Sequence, residues 1–336
     1  MSTSWYRPLQ INYREKLKLF FLANDAPSSK KDLVVPNTYN TGYHKEIYDL
    51  LISIGVDVYS SHDISEVISA NTSSNYVFSL FNRAEFENSE IFASTICEWQ
   101  NLPYLGAKPN IRALAEDKHL AKILAKHLHI PTSPWKIYQK DAPCPQAPDF
   151  EGPYFIKWRY GASSKFVSAD CIAQNWEEAK TIIKKFHRNN CDVIMEKLIK
   201  GKGVTVPVIL GSDDSPVSLP PVITDSEMPY GIVTHDQARK REEGMSRRVL
   251  NNDSLYNELI EYSTKLFDSI RPIDYIRVDF KLDTEYSNPL FLEFNVCCNL
   301  SSTSAISLSA SQIGLTQTEL ISHILQQSLT RQRFLR

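Results

Sequence analysis

The chain has 336 residues, of which 42% are hydrophobic and 23% charged, an ordinary globular mix with room for two or three domains. Its net charge of −2 leaves no chain-wide basic footprint for nucleic acid. Six cysteines, with Cys297 and Cys298 adjacent and no Cys-x-x-Cys or His-x-x-x-His spacing, argue against a disulfide framework and a zinc site. No signal core and no apolar run of about 18 residues occurs, so the expectation is a reduced, cytoplasmic protein with no membrane partner.

Residues 1–113 alternate strand and helix signals. A strand is expected at 17–23, a polar loop at 24–40, and a helix at 42–54 with Ile47, Leu50, Leu51 and Ile54 on one stripe and Gly55 as its stop. Strands at 56–59 and 76–81, a helix at 89–99 and a short strand at 102–105 follow. This order implies an open parallel α/β sheet. No Gly-x-Gly-x-x-Gly follows the first strand, so a dinucleotide fingerprint is absent. Arg83 sits just past the C-terminal end of a strand, where open α/β sheets bind ligands; an ordinary surface arginine is the alternative.

From 114 to 198 the pattern changes. A helix over 113–127 carries Asp117-Lys118, and residues 130–135 lead into a strand at 136–138. A strand at 153–157 ends in Lys157, runs through the small-residue loop 158–165 and returns at 166–168. Gly161, Ala162, Ser163 and Ser164 let backbone N–H groups and hydroxyls approach phosphate oxygens, and Lys157 adds a point charge. A small polar hairpin loop with no ligand is equally built this way. A helix at 176–186 precedes a strand at 192–199, whose main chain suits an adenine edge, with Glu196 accepting from the amino group.

In 199–336, a strand is expected at 204–210, where Pro207 argues for an edge or a bulge. The charged segment 235–248 contains Gly244 and reads as a mobile lid or a solvated charged helix. A helix at 253–270 is followed by two alternating runs, 276–280 and 291–295, around a polar turn. Strand alternation puts Arg277 and Asp279 on one face, and does the same for Glu293 and Asn295 on the partner strand. Two carboxylates, an amide oxygen and a guanidinium suit Mg²⁺ and the phosphates it carries; a solvated sheet face is the alternative. The Ser/Thr/Asn-rich turn 297–304 precedes a helix and suits a substrate carboxylate, or is plain N-cap chemistry. A last helix is expected at 318–329.

The order and spacing of these residues resemble the ATP-grasp superfamily, and most specifically the D-alanine–D-alanine ligase family, over about residues 100–325. Asp117-Lys118 resembles the family's Asp-Lys before the first grasp strand. Lys157 with its loop to Lys165 resembles the loop that closes on the phosphates, and Glu196-Lys197-Leu198-Ile199 resembles the adenine hinge. Asp236 to Lys240 resembles the segment whose lysine reaches the transferred phosphate. Arg277-Val278-Asp279 and Glu293-Phe294-Asn295 match the Arg-Val-Asp and Glu-x-Asn motifs.

The resemblance implies an α/β protein of the ATP-grasp fold. An N-terminal open parallel α/β domain (1–113) would precede two α+β domains (114–198 and 199–336) that clamp ATP. It implies a carboxylate–amine ligase that forms an acyl phosphate, then an amide, releasing ADP and phosphate. Its cofactors would be ATP and one or two Mg²⁺, with Mn²⁺ able to take the same place. Arg277, Lys240 and Ser163 would be catalytic. Lys118, Lys157, Ser163, Ser164, Glu196, Lys197, Ile199 and Lys240 would hold the nucleotide. Asp279, Glu293 and Asn295 would hold the metal, and Asn299, Ser304 and Arg83 the substrates. Its partners would be a small carboxylate and an amine, and by analogy a second copy in a homodimer.

Departures from the family pattern are equally plain. The ribose-holding glutamate is Gly203, the Lys-Pro step is Lys157-Trp158, and the phosphate loop's last glycine is Phe166. The Pro-Gly after Glu-x-Asn is Cys298-Asn299, and the N-terminal Gly-Gly-x-Ser-x-Glu signature is absent after Ala23. A ligase for other substrates is therefore expected, whether joining L-amino acids or adding an amino acid to a mycosporine-type cyclohexenone. A non-catalytic ATP-binding regulator and a kinase are the alternatives.

Overall fold

A computed structural model describes residues 4–27, 39–69, 73–81, 86–142, 145–161, 167–227, 229–232, 245–250, 254–283 and 288–335. The first of its three sheets holds β1 (Lys18–Leu22), β2 (Asp57–Ser61) and β3 (Tyr76–Ser79) in the order β2-β1-β3, parallel throughout. The run Leu19-Phe20-Phe21-Leu22 is apolar on both faces and buried on both, as a parallel strand covered by helices must be. Helices α1 (Ile11–Lys16), α2 (Tyr39–Ser53), α3 (Ser65–Ile68) and α4 (Ile91–Trp99) accompany it. The strand expected at 102–105 reduces to a single bridge between Val77 and Tyr104, with Pro103 accepting from the Val77 N–H through its carbonyl. Proline has no N–H to extend that ladder.

The single helix expected over 113–127 is two helices, α5 (Pro109–Glu116) and α6 (Lys118–His127), separated at Asp117. Asp117 takes an extended conformation and its carboxylate accepts from the N–H groups of His119 and Leu120. Aspartate competes for helix N–H groups in this way, so it starts helices better than it continues them.

The second sheet is antiparallel, β4-β7-β5-β6, built from β4 (Trp135–Tyr138), β5 (Tyr154–Trp158), β6 (Ile172–Ala173) and β7 (Val193–Lys197). Helix α7 (Trp176–Arg188) packs Ala179, Ile183 and Phe186 against Tyr138, Ile156 and Met195. Val167 and Ser168, expected in a returning strand, are not strand residues. The partner of β5 on that side is β6, reached after a short turn at 169–171; Phe166 lies outside the described residues.

The third sheet runs β11-β10-β8-β12-β13, with β9 on one end of β8. Its strands are β8 (Gly201–Leu210), β9 (Pro216–Ser218), β10 (Val222–Ser226), β11 (Met245–Val249), β12 (Tyr275–Asp283) and β13 (Pro289–Asn295), all antiparallel to their neighbours. Against the edge or bulge expected from Pro207, β8 is a central strand. Pro207 sits at a seam, since β10 pairs with residues 203–205 of β8 and β9 with 208–210. Its carbonyl accepts from Leu219 on that side. The N and C=O of one strand residue point the same way, so the missing N–H faces the seam and costs no bond to β12. Of the charged segment 235–248, residues 235–244 lie outside the described residues, and its end, expected as part of a lid or helix, forms strand β11.

Helix α8 (Ser254–Ser269) buries Leu259, Leu266 and Phe267 against Val206, Val208, Ile276 and Val278 of the third sheet. Helices α9 (Ala305–Gln312) and α10 (Gln317–Arg331) turn back to the first sheet, where Leu320, Ile324 and Leu325 share a core with Leu19, Phe21 and Phe78. Asp274, fully buried, fixes this junction. It accepts from the Gly106 N–H at 2.7 Å, the Ser328 hydroxyl at 2.6 Å and Arg331 Nε at 2.7 Å. Among the described residues no helix is long and apolar enough to cross a membrane, and the five described cysteines are free thiols.

Candidate active site

The second and third sheets face each other across a cavity of about 630 Å³. Every described residue given a site role from the sequence lines it: Lys118, Lys157, Glu196, Lys197, Ile199, Arg277, Asp279, Glu293, Asn295, Asn299 and Ser304. Arg83, Ser163, Ser164 and Lys240 lie outside the described residues.

The break at Asp117 aims Lys118. Arg159 clamps the Asp117 carboxylate with Nε at 2.9 Å and Nη2 at 2.6 Å, and the Lys118 N–H donates to the Arg159 carbonyl at 3.2 Å. The Lys118 side chain then enters the cavity, donating to the Gly161 carbonyl, with Glu293 Oε2 3.8 Å away. One turn along the same helix face, Lys122 is fully buried and donates to Thr132 Oγ1 at 2.7 Å.

Glu196, expected to accept from an adenine amino group, lies between two lysines at the cavity wall. Its oxygens lie 2.8 Å from Lys122 Nζ and 2.7 Å from Lys157 Nζ. Burial alone would raise this carboxyl, but the two ammonium groups outweigh burial and hold it at about 2. In the hinge, the Lys197 N–H bonds Pro134 and the Leu198 N–H bonds Pro153, which fixes the strand end against the cavity.

The paired strands β12 and β13 form the other wall. Arg277 pairs with Asn295 and Asp279 with Glu293 directly across the strands, so all four side chains share one face, as alternation predicts. Between the pairs Asp279–Glu293 and Phe280–Phe291 the register shifts, leaving Leu292 extra on β13. Asp279 Oδ2 accepts from Arg277 Nη2 at 2.8 Å and Asn295 Nδ2 at 2.9 Å, while Oδ1 accepts from Thr205 Oγ1 at 2.7 Å. Burial raises the Asp279 carboxyl, and Arg277 opposes that shift. Among the described residues no group of three His, Cys, Asp or Glu side chains is placed to hold a metal. Two neighbouring carboxylates and an amide form a hard oxygen set too small for a cage of protein alone. That fits a cation such as Mg²⁺, which keeps waters and takes phosphate oxygens. Among the described lining residues, Lys118, Lys157, Lys197, Arg247, Arg277 and Lys281 outnumber Glu90, Glu196, Asp279 and Glu293, so the cleft draws anions.

On the far side, Ser304 caps α9, accepting from the Ser307 N–H at 3.3 Å. The Asn299 amide oxygen accepts from the Ser301 N–H at 2.8 Å, so both candidate substrate residues also shape their own turn. That turn is pinned by α2, where the Tyr43 hydroxyl accepts from Leu300 N–H at 3.0 Å and Glu46 from Ser302 N–H at 2.6 Å. Asn24, Tyr43 and His44 add a wall of their own.

Several lining or supporting residues escaped sequence reading. Lys122 had a signal, its spacing of four from Lys118. Arg159 and Tyr43 had none, because each acts on a segment distant in sequence. Lys281 continues the alternating row of Arg277 and Asp279; burial brings its ammonium down to about 8.

A family model described as D-ala D-ala ligase C-terminus matches residues 124–326, more than half of the chain. The chain is 26% identical over 232 residues to the D-alanine–D-alanine ligase of Aquifex aeolicus, covering 68% of this chain and 75% of that one. It is 25% identical over 244 residues to that of a Synechococcus strain, covering 70% of each. The fold is similar to D-alanine–D-alanine ligase from Bacillus anthracis in complex with ATP (TM-score 0.72, 16% identity, 94% of this chain and 99% of that one). It is also similar to the VanG D-Ala:D-Ser ligase from Enterococcus faecalis (TM-score 0.69, 13% identity, 93% and 99%). With motif order, sheet topology and cleft in agreement, the chain belongs to the D-alanine–D-alanine ligase family of ATP-grasp ligases.

Proposed function

We propose that the protein is an ATP-dependent carboxylate–amine ligase acting on a small carboxylate and the amine of an amino acid or similar molecule. The observation that carries this reading is one cavity lined by lysines, a paired-strand oxygen donor set and a serine-capped turn. Mg²⁺ held by Asp279, Glu293 and Asn295 would neutralise and orient the triphosphate. Lys118 and Lys157 offset phosphate charge, and Lys122 and Glu196 keep Lys157 in place. The main chain at Lys197 and Ile199 meets the base. Ser163, Ser164 and Lys240 are assigned to the phosphates by motif order.

A substrate carboxylate oxygen attacks the γ-phosphorus and ADP leaves, giving an acyl phosphate. The amine then attacks the acyl carbon and phosphate departs with that oxygen. Arg277, held beside Asp279, supports the oxyanion, the electrostatic contribution that is usually largest in such chemistry. Asn299, Ser304 and Arg83 are assigned to the substrates. Asn24, Tyr43 and His44 stand where the family signature is absent, which favours a substrate pair other than two D-alanines. ATP turnover over a panel of carboxylates and amines, with products read by mass spectrometry, tests this. The expected result is phosphate release that depends on one amine and yields an amide; ATP binding with no turnover on any pair would instead support a regulatory role.

A further inference from the structure

Lys281 is 8% exposed and lines the cavity. An ammonium carries three donors. The structure shows one of them in use, to the Gly231 carbonyl at 2.6 Å. Among the described residues, no carboxylate lies within ion-pair distance of it. Leaving buried donors without acceptors is costly, so the two remaining donors at the cavity wall point to a hydrogen-bonding ligand.

Its place in the sheet says which part of a ligand. Along β12, Lys281 lies two residues beyond Asp279, roughly 7 Å by strand rise. The strand runs away from the oxygen donors, since Asp279 pairs with Thr205, Lys281 with Gly203 and Asp283 with Gly201. Gly201 lies two residues past the hinge at 197–199, which also lines the cavity. Lys281 is therefore midway between the wall assigned to phosphates and the strand end assigned to the base. Opposite it, Gly203 presents no side chain, and an added Cβ there would meet only Thr224 atoms at 3.8 and 3.9 Å. The space beside the ammonium is open.

We propose that Lys281 recognises the sugar of the nucleotide, donating to a ribose hydroxyl in the space that Gly203 leaves. This assignment rests on the nucleotide reading of the cleft. Titration calorimetry of the full chain with Mg²⁺ and ATP, 2′-deoxyATP or 3′-deoxyATP tests it. The wild type is expected to bind one deoxy analogue about tenfold more weakly than ATP, the scale of a charge-assisted hydrogen bond. Lys281→Met is expected to bind ATP about tenfold more weakly and to lose the distinction between ATP and that analogue. Equal wild-type binding of all three nucleotides would overturn the assignment without recourse to any variant, as would a deoxy penalty that persists in Lys281→Met. A wild type that binds no ATP would overturn the nucleotide reading, and the Lys281 assignment with it.

Discussion

Glu196 and His44 show two ways of settling a titratable side chain beside this cleft. Glu196 keeps its charge because Lys122 and Lys157 both touch it. His44, 4% exposed, gives up its charge. Burial brings it down to about 4 although Asp25 pulls the other way, and its Nδ1 accepts from the Asp25 N–H at 3.1 Å. A proton on Nδ1 would break that bond. An unfolded histidine takes its proton near 6.5, so the unfolded state binds more protons between about pH 6.5 and 4. Stability is full above 6.5 and falls as pH drops through that window. The expected loss is about 2 kcal/mol between pH 6.5 and 5. Urea unfolding at both pH values would show it in the wild type and much less in His44→Gln. Nothing in the sequence marked His44, because its acceptor role depends on how the 24–27 turn lies against α2.

At the scale of elements, the β12–β13 pair was legible from its residues alone. Alternation placed Arg277, Asp279, Glu293 and Asn295 on one face, and the pairing is direct. The break between α5 and α6 was not legible, because apolar spacing runs unbroken through 113–127. Its cause is the Asp117 cap, whose carboxylate Arg159 holds from 42 residues away. Asp117→Ala would remove the cap of α6 and leave Arg159 buried without its anion. The expected cost is about 2–3 kcal/mol, measured by denaturant unfolding, with weaker ATP binding because Lys118 is no longer aimed. A variant as stable as the wild type would show that Asp117 does not set this break. Pro207 misled for the same kind of reason: its seam exists only because β9 and β10 share one side of β8.

Across the whole molecule, the three sheets follow one another along the chain, but the cores are not divided sheet by sheet. Helix α10 closes the first sheet's core, and Asp274 ties Gly106 to Ser328 and Arg331. Sequence order cannot show such a return of the chain, since the apolar stripe of α10 does not name its partner. What this frame achieves is to bring α6, β5, β7, β12 and β13 to one cleft, with hard oxygen donors on one wall and lysines on the other. The proposed function turns on one step, the activation of a carboxylate by phosphorylation in this cleft. It is tested most directly by supplying the accepted carboxylate labelled with ¹⁸O in both oxygens and analysing the phosphate released. One ¹⁸O in each phosphate is the result expected of an acyl phosphate. Unlabelled phosphate, formed at the same rate as the amide, would contradict it.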